Sequence, residues 1–286
     1  MFVGMTTREA QTYLATKLGS IYDPGEAGAI AEWVVENLSG FKKSERFSTI
    51  EKKLDASELI TLEKYLERLL RYEPVQYVLN ESWFCGLKLY VNENVLIPRP
   101  ETEELVEWII SDCRFPIESL SVLDIGSGSG CIALALKKRL GKADVWSCEI
   151  SPDALEVAHK NSKLLGLEVN FIELDFLDPS QCHKLPSFDI IVSNPPYVPD
   201  ENRHSMQPNV LNYEPSTALF VPDNDALVFY KAIAEFGKTH LNTGGKIYTE
   251  IHEDLGAATL GVFKKADYNS TLKKDMQGKE RMIRAY

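Results

Sequence analysis

The tetrapeptide Asn194-Pro195-Pro196-Tyr197 carries the side chains most suited to chemistry. It follows an apolar run at residues 188–193 that is typical of a buried strand. The two prolines fix φ and remove two backbone donors, so the carbonyls before them cannot join a continuing ladder. The segment therefore offers an amide, a backbone carbonyl and an aromatic ring, which suit a planar –NH2 group. A plain Pro-Pro loop that ends a strand is the structural alternative.

A glycine-rich loop follows a second apolar run, at residues 120–125. The loop consists of Gly126, Ser127, Gly128, Ser129 and Gly130. Glycines allow positive φ and let the backbone pass close beneath a ligand. The first crossover of a doubly wound sheet is also where nucleotides bind. The Gly-x-Gly-x-Gly spacing lacks the extra residue of Gly-x-Gly-x-x-Gly, which disfavours a dinucleotide.

Two acids and an aromatic residue stand at the ends of the next two predicted strands. Glu149 ends the strand after the glycine loop, where a carboxylate can accept both hydroxyls of a ribose. Asp175 could accept from an adenine amino group, and Phe176 could pack on the adenine face. The alternatives are a surface position for Glu149 and ordinary core packing for Phe176.

The sequence falls into three predicted parts. Residues 1–72 are a helical domain, residues 73–96 a β-hairpin linker, and residues 97–286 the catalytic domain. Capping signals at Thr6 and Asp23 open the first two helices, which end near Gly19 and Gly40; a third amphipathic stretch follows at 62–70. The pattern from Val75 to Leu96 is strand-like, with a hairpin break at Cys85-Gly86. A proline-rich elbow follows, and the helix after it runs from Glu104 to Ser111.

From Leu120 onward, strand and helix patterns alternate. Strands are predicted at 120–125, 144–149, 169–174, 188–193 and 244–251, and helices at 130–140, 152–165 and 225–240. The tail adds edge strands. Such alternation predicts the α/β class, with a mostly parallel sheet covered by helices on both faces.

Composition excludes several classes of protein. The formal net charge of −11 argues against non-specific binding of nucleic acid, which needs a basic surface. No apolar stretch approaches a membrane span, and residues 1–5 show no signal peptide. The five cysteines lack Cys-x-x-Cys spacing, which favours free thiols in a reducing compartment, and no metal site is predicted. Cys131, beside the glycine loop, is more readily explained by packing than by nucleophilic chemistry.

Adenosine recognition without a Gly-Lys-Ser phosphate loop, joined to the Asn194–Tyr197 motif, indicates S-adenosylmethionine. The chain resembles the class I methyltransferases, and closely the release-factor glutamine methyltransferases, the PrmC/HemK family. The resemblance covers nearly the whole chain. It rests on the elbow at 96–103, the glycine loop, residues 193–197, Tyr213-Glu214-Pro215, Gly244-Gly245 and the tail at 275–281. The elbow and the tail separate this family from other amino-group methyltransferases.

The resemblance implies an activity and a set of contacts. The enzyme would methylate the amide nitrogen (N5) of the glutamine in the Gly-Gly-Gln motif of class I peptide chain release factors. S-adenosyl-L-homocysteine would be the product, and the protein would act as a cytoplasmic monomer without direct need of nucleic acid. The implied cofactor contacts are Gly126 through Gly130, Glu149, Phe176 and Asn194. The implied substrate contacts are Asn194, Pro195, Pro196 and Tyr197.

The sequence departs from the family pattern at three positions. Glu149 stands where many relatives carry Asp, Asn80 replaces a Gly and affects the expected hairpin turn, and His252 replaces a Gly after Glu250-Ile251.

Two other functions are compatible with the same motifs. A DNA or RNA adenine methyltransferase would present the same two donors on an exocyclic –NH2, but must extrude the base and hold a polyanion. A cofactor-binding scaffold without chemistry is the second alternative, although the intact motifs argue against it.

Overall fold

The computed structural model describes residues 4–40, 52–113 and 120–286. The prediction that no signal peptide is present depends partly on residues 1–3, which lie outside this range. The chain forms two compact units: Met1–Asn80 with Pro208–Tyr213, called here the helical unit, and Glu81–Gln207 with Glu214–Tyr286, called the sheet unit. Within the described ranges, no helix is long and apolar enough to cross a membrane.

The helices and strands are numbered in chain order. The helices are α1 (Thr7–Leu18), α2 (Pro24–Ser39), α3 (Ala56–Leu69), α4 (Val75–Leu79), α5 (Pro100–Asp112), α6 (Cys131–Leu140), α7 (Pro152–Leu165), α8 (Pro179–Cys182), α9 (Pro208–Tyr213), α10 (Val228–His240) and α11 (Gly256–Lys265). The strands are β1 (Ser82–Phe84), β2 (Leu87–Leu89), β3 (Ser121–Ile125), β4 (Asp144–Glu149), β5 (Asn170–Glu173), β6 (Phe188–Ser193), β7 (Val198–Pro199), β8 (Phe220–Val221), β9 (Leu241–Glu250), β10 (Ser270–Lys274) and β11 (Glu280–Ala285).

The predicted helix starts in the helical unit are confirmed. The Thr6 side chain accepts from the Glu9 backbone N–H, and the Glu9 side chain accepts from the Thr6 backbone in return, so α1 opens with a capping box. Asp23 caps α2 by accepting from Gly25 and Glu26, with proline at the first helical position. Buried leucines of α3 then pack against α1 and α2, and their burial stabilises helices too short to persist alone.

The strand-like interpretation of residues 75–79 is wrong. This segment is α4, because Pro74 presets the backbone at its start and Asn80 ends it in the left-handed region at φ 51°. Asn tolerates that conformation almost as glycine does, so Asn80 ends a helix and does not belong to the hairpin turn. The hairpin itself is confirmed: β1 and β2 pair around Cys85 and Gly86, both at positive φ.

The helix after the elbow begins earlier than predicted. It starts at Pro100, not Glu104, with Arg99 as its N-cap residue. Proline is well suited to the first helical position because its missing N–H would have no partner there. This shift makes Thr102 a helical residue near the start of α5.

A seven-stranded sheet organises the sheet unit, in the order β10-β11-β9-β6-β3-β4-β5. The five strands from β9 to β5 are parallel, whereas β11 and β10 are antiparallel, which confirms the predicted edge strands of the tail. Alternate residues of the central strand β6 face opposite layers: Ile190 and Val192 pack towards α5 and α6, and Ile191 towards α10 and α11. Helices therefore cover both faces, as predicted.

Gly245 in β9 provides a test of close packing in this sheet. A Cβ at this position would lie 2.9 Å from two backbone oxygens, those of Asn242 and Asp189, which cannot move aside easily. We expect Gly245→Ala to lower the free energy of unfolding by about 1–3 kcal/mol because of this overlap.

The control for this prediction is Gly261→Ala in α11. A Cβ there would meet no heavy atom of the described chain within 4 Å. We expect it to raise the free energy of unfolding by about 0.5–1 kcal/mol through helix propensity. Urea denaturation measures both, and equal effects of the two variants would contradict the packing argument.

Candidate active site

The two chemical motifs meet because their strands are direct neighbours. β3 and β6 are parallel and paired, with Ile125 opposite Ser193. The glycine loop begins at the residue after Ile125, and Asn194 is the residue after Ser193. Because carboxyl ends of parallel strands share one sheet edge, both motifs open into the same crevice.

The glycine loop has room for a ligand on one side. Gly126 and Gly128 have φ of 85° and 50°, and a Cβ on either would meet no heavy atom of the described chain within 4 Å. At Gly130, by contrast, a Cβ would lie 3.1 Å from Leu134 Cδ1 and 3.3 Å from Ala158 Cβ. The end of the loop thus packs closely against α6 and α7, whereas its start is open, as a nucleoside-binding loop requires.

Hydrogen bonds hold the loop in this shape. The backbone N–H groups of Gly126 and Ser127 donate to Cys148 O at 2.9 and 3.0 Å. On the other side, the fully buried Asn161 donates from Nδ2 to Ser129 O and to Tyr90 O, both at 2.9 Å. The loop is therefore tied to β4 and α7 and is preorganised for binding.

Glu149 lies at the end of β4, where a ribose would be expected. Its Oε2 accepts from Gly128 N–H at 2.9 Å, and its Oε1 accepts from the backbone N–H groups of Ile150 and Ser151 at 2.9 and 3.1 Å. A carboxylate has about four acceptor positions, so one position, on Oε2, remains for a ribose hydroxyl. These contacts orient Glu149 and join it directly to the glycine loop.

Asp175 and Phe176 follow β5, on the same edge of the sheet. Phe176 is buried, and its ring packs edge-on against Phe236 with centroids 5.2 Å apart. Asp175 Oδ1 accepts from Leu177 N–H at 2.9 Å, which stabilises the turn after the strand. Core packing therefore accounts for much of the Phe176 environment, and an adenine contact for either residue stays a prediction.

The Asn194–Tyr197 segment is held by side chains from two other elements. Asn194 Nδ2 donates to Thr102 Oγ1 at 3.1 Å, and no donor of the described residues reaches its Oδ1. The Tyr197 hydroxyl donates to Glu250 Oε1 at 3.3 Å. Pro195 is buried and Pro196 half-buried. An amide oxygen and proline carbonyls are thus available to accept from a planar amide.

Glu250 is a site residue that sequence reasoning did not identify. β9 pairs with β6 in parallel, Thr249 opposite Ser193, so Glu250 lies at the same sheet edge as Asn194. Its carboxylate is buried, which raises its pKa to about 7 although the hydrogen bond from Thr102 lowers it. An acid at the end of a predicted strand was the available signal, but the order of strands was needed to use it.

Hydrogen bonds join the elbow to Glu214. Arg99 donates to Glu214 Oε1 at 2.6 Å, and Ile97 N–H donates to Glu214 Oε2 at 3.2 Å. The Glu214 side chain is buried, whereas the Arg99 side chain is 33% exposed. The contact explains how two distant segments jointly define the start of α5.

The comparisons with known proteins agree with this geometry. The family model of the PrmC N-terminal domain matches residues 9–79, and that of the methyltransferase small domain matches residues 104–212. A release factor glutamine methyltransferase of Flavobacterium psychrophilum is 42% identical over 283 residues, covering 98% of this chain and 99% of that protein. The protein of the same name from Bacteroides thetaiotaomicron is 39% identical, covering 96% and 97%. The chain belongs to the release factor glutamine methyltransferase family.

Solved structures support the fold assigned to this family member. A methyltransferase from Pyrococcus furiosus has a TM-score of 0.50 at 19% identity, covering 70% of this chain and 88% of that one. The hMettl16 catalytic domain, solved with MAT2A 3′UTR hairpin 6, has a TM-score of 0.51 at 15% identity, covering 82% and 84%. At these identities the likeness shows a shared fold and nothing about activity or substrates.

A buried acid anchors the glycine loop of this release factor glutamine methyltransferase family member. Ser147 Oγ lies 2.9 Å from Asp124 Oδ2 and 2.6 Å from Ser127 Oγ, so a row of hydrogen bonds joins the buried acid to the glycine loop. Complete burial raises the pKa of Asp124 to about 8. The folded protein therefore favours the protonated acid. The contribution of this group to the free energy of unfolding falls as pH rises from about 4 to about 8.

We expect Asp124→Asn to remove this pH dependence. Relative to the wild type, the variant should gain about 1–4 kcal/mol in free energy of unfolding between about pH 5 and about pH 8. Chemical denaturation at both pH values measures the gain. The control, Asp153→Asn on the exposed first turn of α7, should show no comparable difference, and a pH-independent Asp124→Asn effect would contradict the argument.

Proposed function

We propose that this protein transfers a methyl group from S-adenosylmethionine to the side-chain amide nitrogen (N5) of the glutamine in the Gly-Gly-Gln motif of class I release factors. One observation carries the proposal. The pairing of Ile125 with Ser193 sets the amide of Asn194 beside an open glycine loop. The names of the relatives at 42% and 39% identity agree with this substrate.

The proposed cofactor site is the crevice at the ends of β3, β4, β5 and β6. Its residues are Gly126, Ser127, Gly128, Ser129, Gly130, Glu149, Asp175, Phe176 and Asn194. The open space at the loop suits a close-lying ligand, and the remaining acceptor position of the oriented Glu149 carboxylate suits a ribose hydroxyl. When bound, S-adenosylmethionine supplies an activated methyl group on a sulfonium sulfur.

The proposed substrate site is Asn194 through Tyr197. A glutamine amide nitrogen is a weak nucleophile because its lone pair is shared with the carbonyl. Asn194 Oδ1 and the Pro195 carbonyl accept its two N–H bonds, which fixes the amide plane and stabilises positive charge as it develops on nitrogen. Pro196 contributes no competing donor, and Tyr197 excludes water. The proton leaves to water after transfer, so no general base is assigned.

The partner is proposed to be a protein, with no direct requirement for nucleic acid. The net charge of −11 supports this choice, because a polyanion would be repelled. We propose that residues 1–72 dock the release factor and that residues 97–286 carry the chemistry. Residues 73–96 link these two parts. The protein acts as a cytoplasmic monomer. The match of the PrmC N-terminal family to residues 9–79 supports a separate N-terminal function.

Mass spectrometry of a class I release factor, incubated with the full chain and S-adenosylmethionine, tests the proposal. We expect one added methyl group on the glutamine of the Gly-Gly-Gln motif and none on a release factor in which that glutamine is replaced by alanine. Parallel arms contain duplex DNA and RNA with labelled cofactor. Methylation of adenine in place of the release factor would overturn the proposal, and cofactor binding without transfer would indicate a binding module.

Replacing Asn194 tests its role. We expect Asn194→Ala to lower kcat by about 10²-fold or more, with cofactor affinity weakened less, because an oriented polar group near the reacting nitrogen is lost. Steady-state kinetics and calorimetry separate the two effects. The control is Asn269→Ala, an exposed position before β10, which should retain wild-type kinetics. Near-wild-type transfer by Asn194→Ala would contradict the assignment.

A further inference from the structure

A chain of hydrogen bonds leads from Asn194 into the protein interior. Asn194 Nδ2 lies 3.1 Å from Thr102 Oγ1, and Thr102 Oγ1 lies 2.6 Å from Glu250 Oε2. Thr102 is 2% exposed and Glu250 is 1% exposed, so water does not compete for these contacts. Asn194 thus depends on one buried hydroxyl and one buried carboxylate for its orientation.

The charge of Glu250 sets the direction of both hydrogen bonds that join Glu250, Thr102 and Asn194. An ionised carboxylate has no proton, so it can only accept. Thr102 has a single hydroxyl proton and must donate it to Glu250, which leaves its oxygen to accept from Asn194. An amide that directs its nitrogen towards Thr102 must direct its oxygen the other way.

We propose that Glu250, acting through Thr102, is a positioning residue that sets the Asn194 amide with its oxygen towards the methyl-accepting nitrogen. The inference rests on the proposed function, in which that oxygen accepts a hydrogen bond from the substrate amide. With the amide reversed, Asn194 would present two donors to a substrate that itself offers donors. The site would then lose one of its two acceptors. The Asn194 and substrate N–H groups would face each other as donors, both without an acceptor.

The same carboxylate also holds the last residue of the motif. Its other oxygen, Oε1, accepts from the Tyr197 hydroxyl at 3.3 Å, so Glu250 contacts both ends of the Asn194–Tyr197 segment, directly or through Thr102. The Tyr230 hydroxyl of α10 donates to the backbone carbonyl of Glu250 at 3.1 Å and steadies the end of β9. Glu250 is thereby fixed as the common support of the substrate site.

The charge of Glu250 depends on groups from every element that faces it. Burial raises its pKa, the Thr102 and Tyr197 hydroxyls and Arg281 of β11 lower it, and Glu101 of α5 raises it, giving a value of about 7. Arg281 itself pairs with Asp275, with 3.2 Å between Nε and Oδ2. Below this pKa the protonated carboxyl can donate to Thr102, which can then donate to Asn194 Oδ1 and reverse the amide.

The first test compares Thr102→Val with Thr102→Ser. Valine keeps the shape but removes the hydroxyl, and we expect kcat to fall about tenfold or more, the scale of one lost hydrogen bond, with little change in cofactor affinity. Serine restores the hydroxyl and should recover most of the rate. Thr271→Val on the edge strand β10 is the control and should behave as the wild type.

The pH profile and NMR separate positioning from general structural damage. Wild-type kcat should fall as pH drops through about 7, and Thr102→Val should lose this step. In selectively ¹⁵N-Asn-labelled protein without substrate, the Asn194 side-chain NH₂ signals should shift with the same midpoint, and Thr102→Val should abolish that shift.

Two results would overturn the inference: a kcat of Thr102→Val equal to that of the wild type, or Asn194 NH₂ signals that do not respond to Thr102→Val. The kcat result requires methyl transfer, whereas the NMR result does not. If the wild type methylates no release factor, the proposed function fails, and the NMR measurement still decides whether Glu250 orients Asn194.

Discussion

The parallel pairing of β3 with β6 is the constraint on which the rest of the structure depends. It aligns Ile125 with Ser193, so that the glycine loop and Asn194 leave the sheet side by side. A slip of one residue would turn every side chain of β6 to the opposite face and remove Ile191 from its core layer. The buried layers on both faces make that slip costly, and packing energy thereby sets the distance between the two motifs.

A second level of order comes from side chains far apart along the chain. Thr102 lies 92 residues before Asn194 and 148 residues before Glu250, yet the three form one hydrogen-bonded chain. Glu214 likewise holds Arg99 from 115 residues away and fixes the start of α5. The sheet places the site residues to within a strand spacing, and these buried polar contacts orient their side chains. Methyl transfer to a weak nucleophile requires that orientation.

Local physics accounts for the parts of the fold that the residue pattern predicted well. Capping boxes, glycine ends and alternation act within a few residues, so α1, α2, β4, β6 and the edge strands of the tail were anticipated closely. The errors arose where short segments lacked a clear period. The five residues of α4 were taken for strand, and α5 starts at Pro100 because proline suits a first helical turn.

The residue types alone determined the chemistry open to this protein: an amide and proline carbonyls at one strand end, glycines at another, and an acid at a third. Those properties are intrinsic to Asn194, Pro195 and the loop, and need no partner to be recognised. Only the tertiary structure decided that Glu250 belongs to the site and which way the Asn194 amide points. Strand order and burial create both facts, because a carboxylate governs a distant amide only when folding brings them together and excludes water.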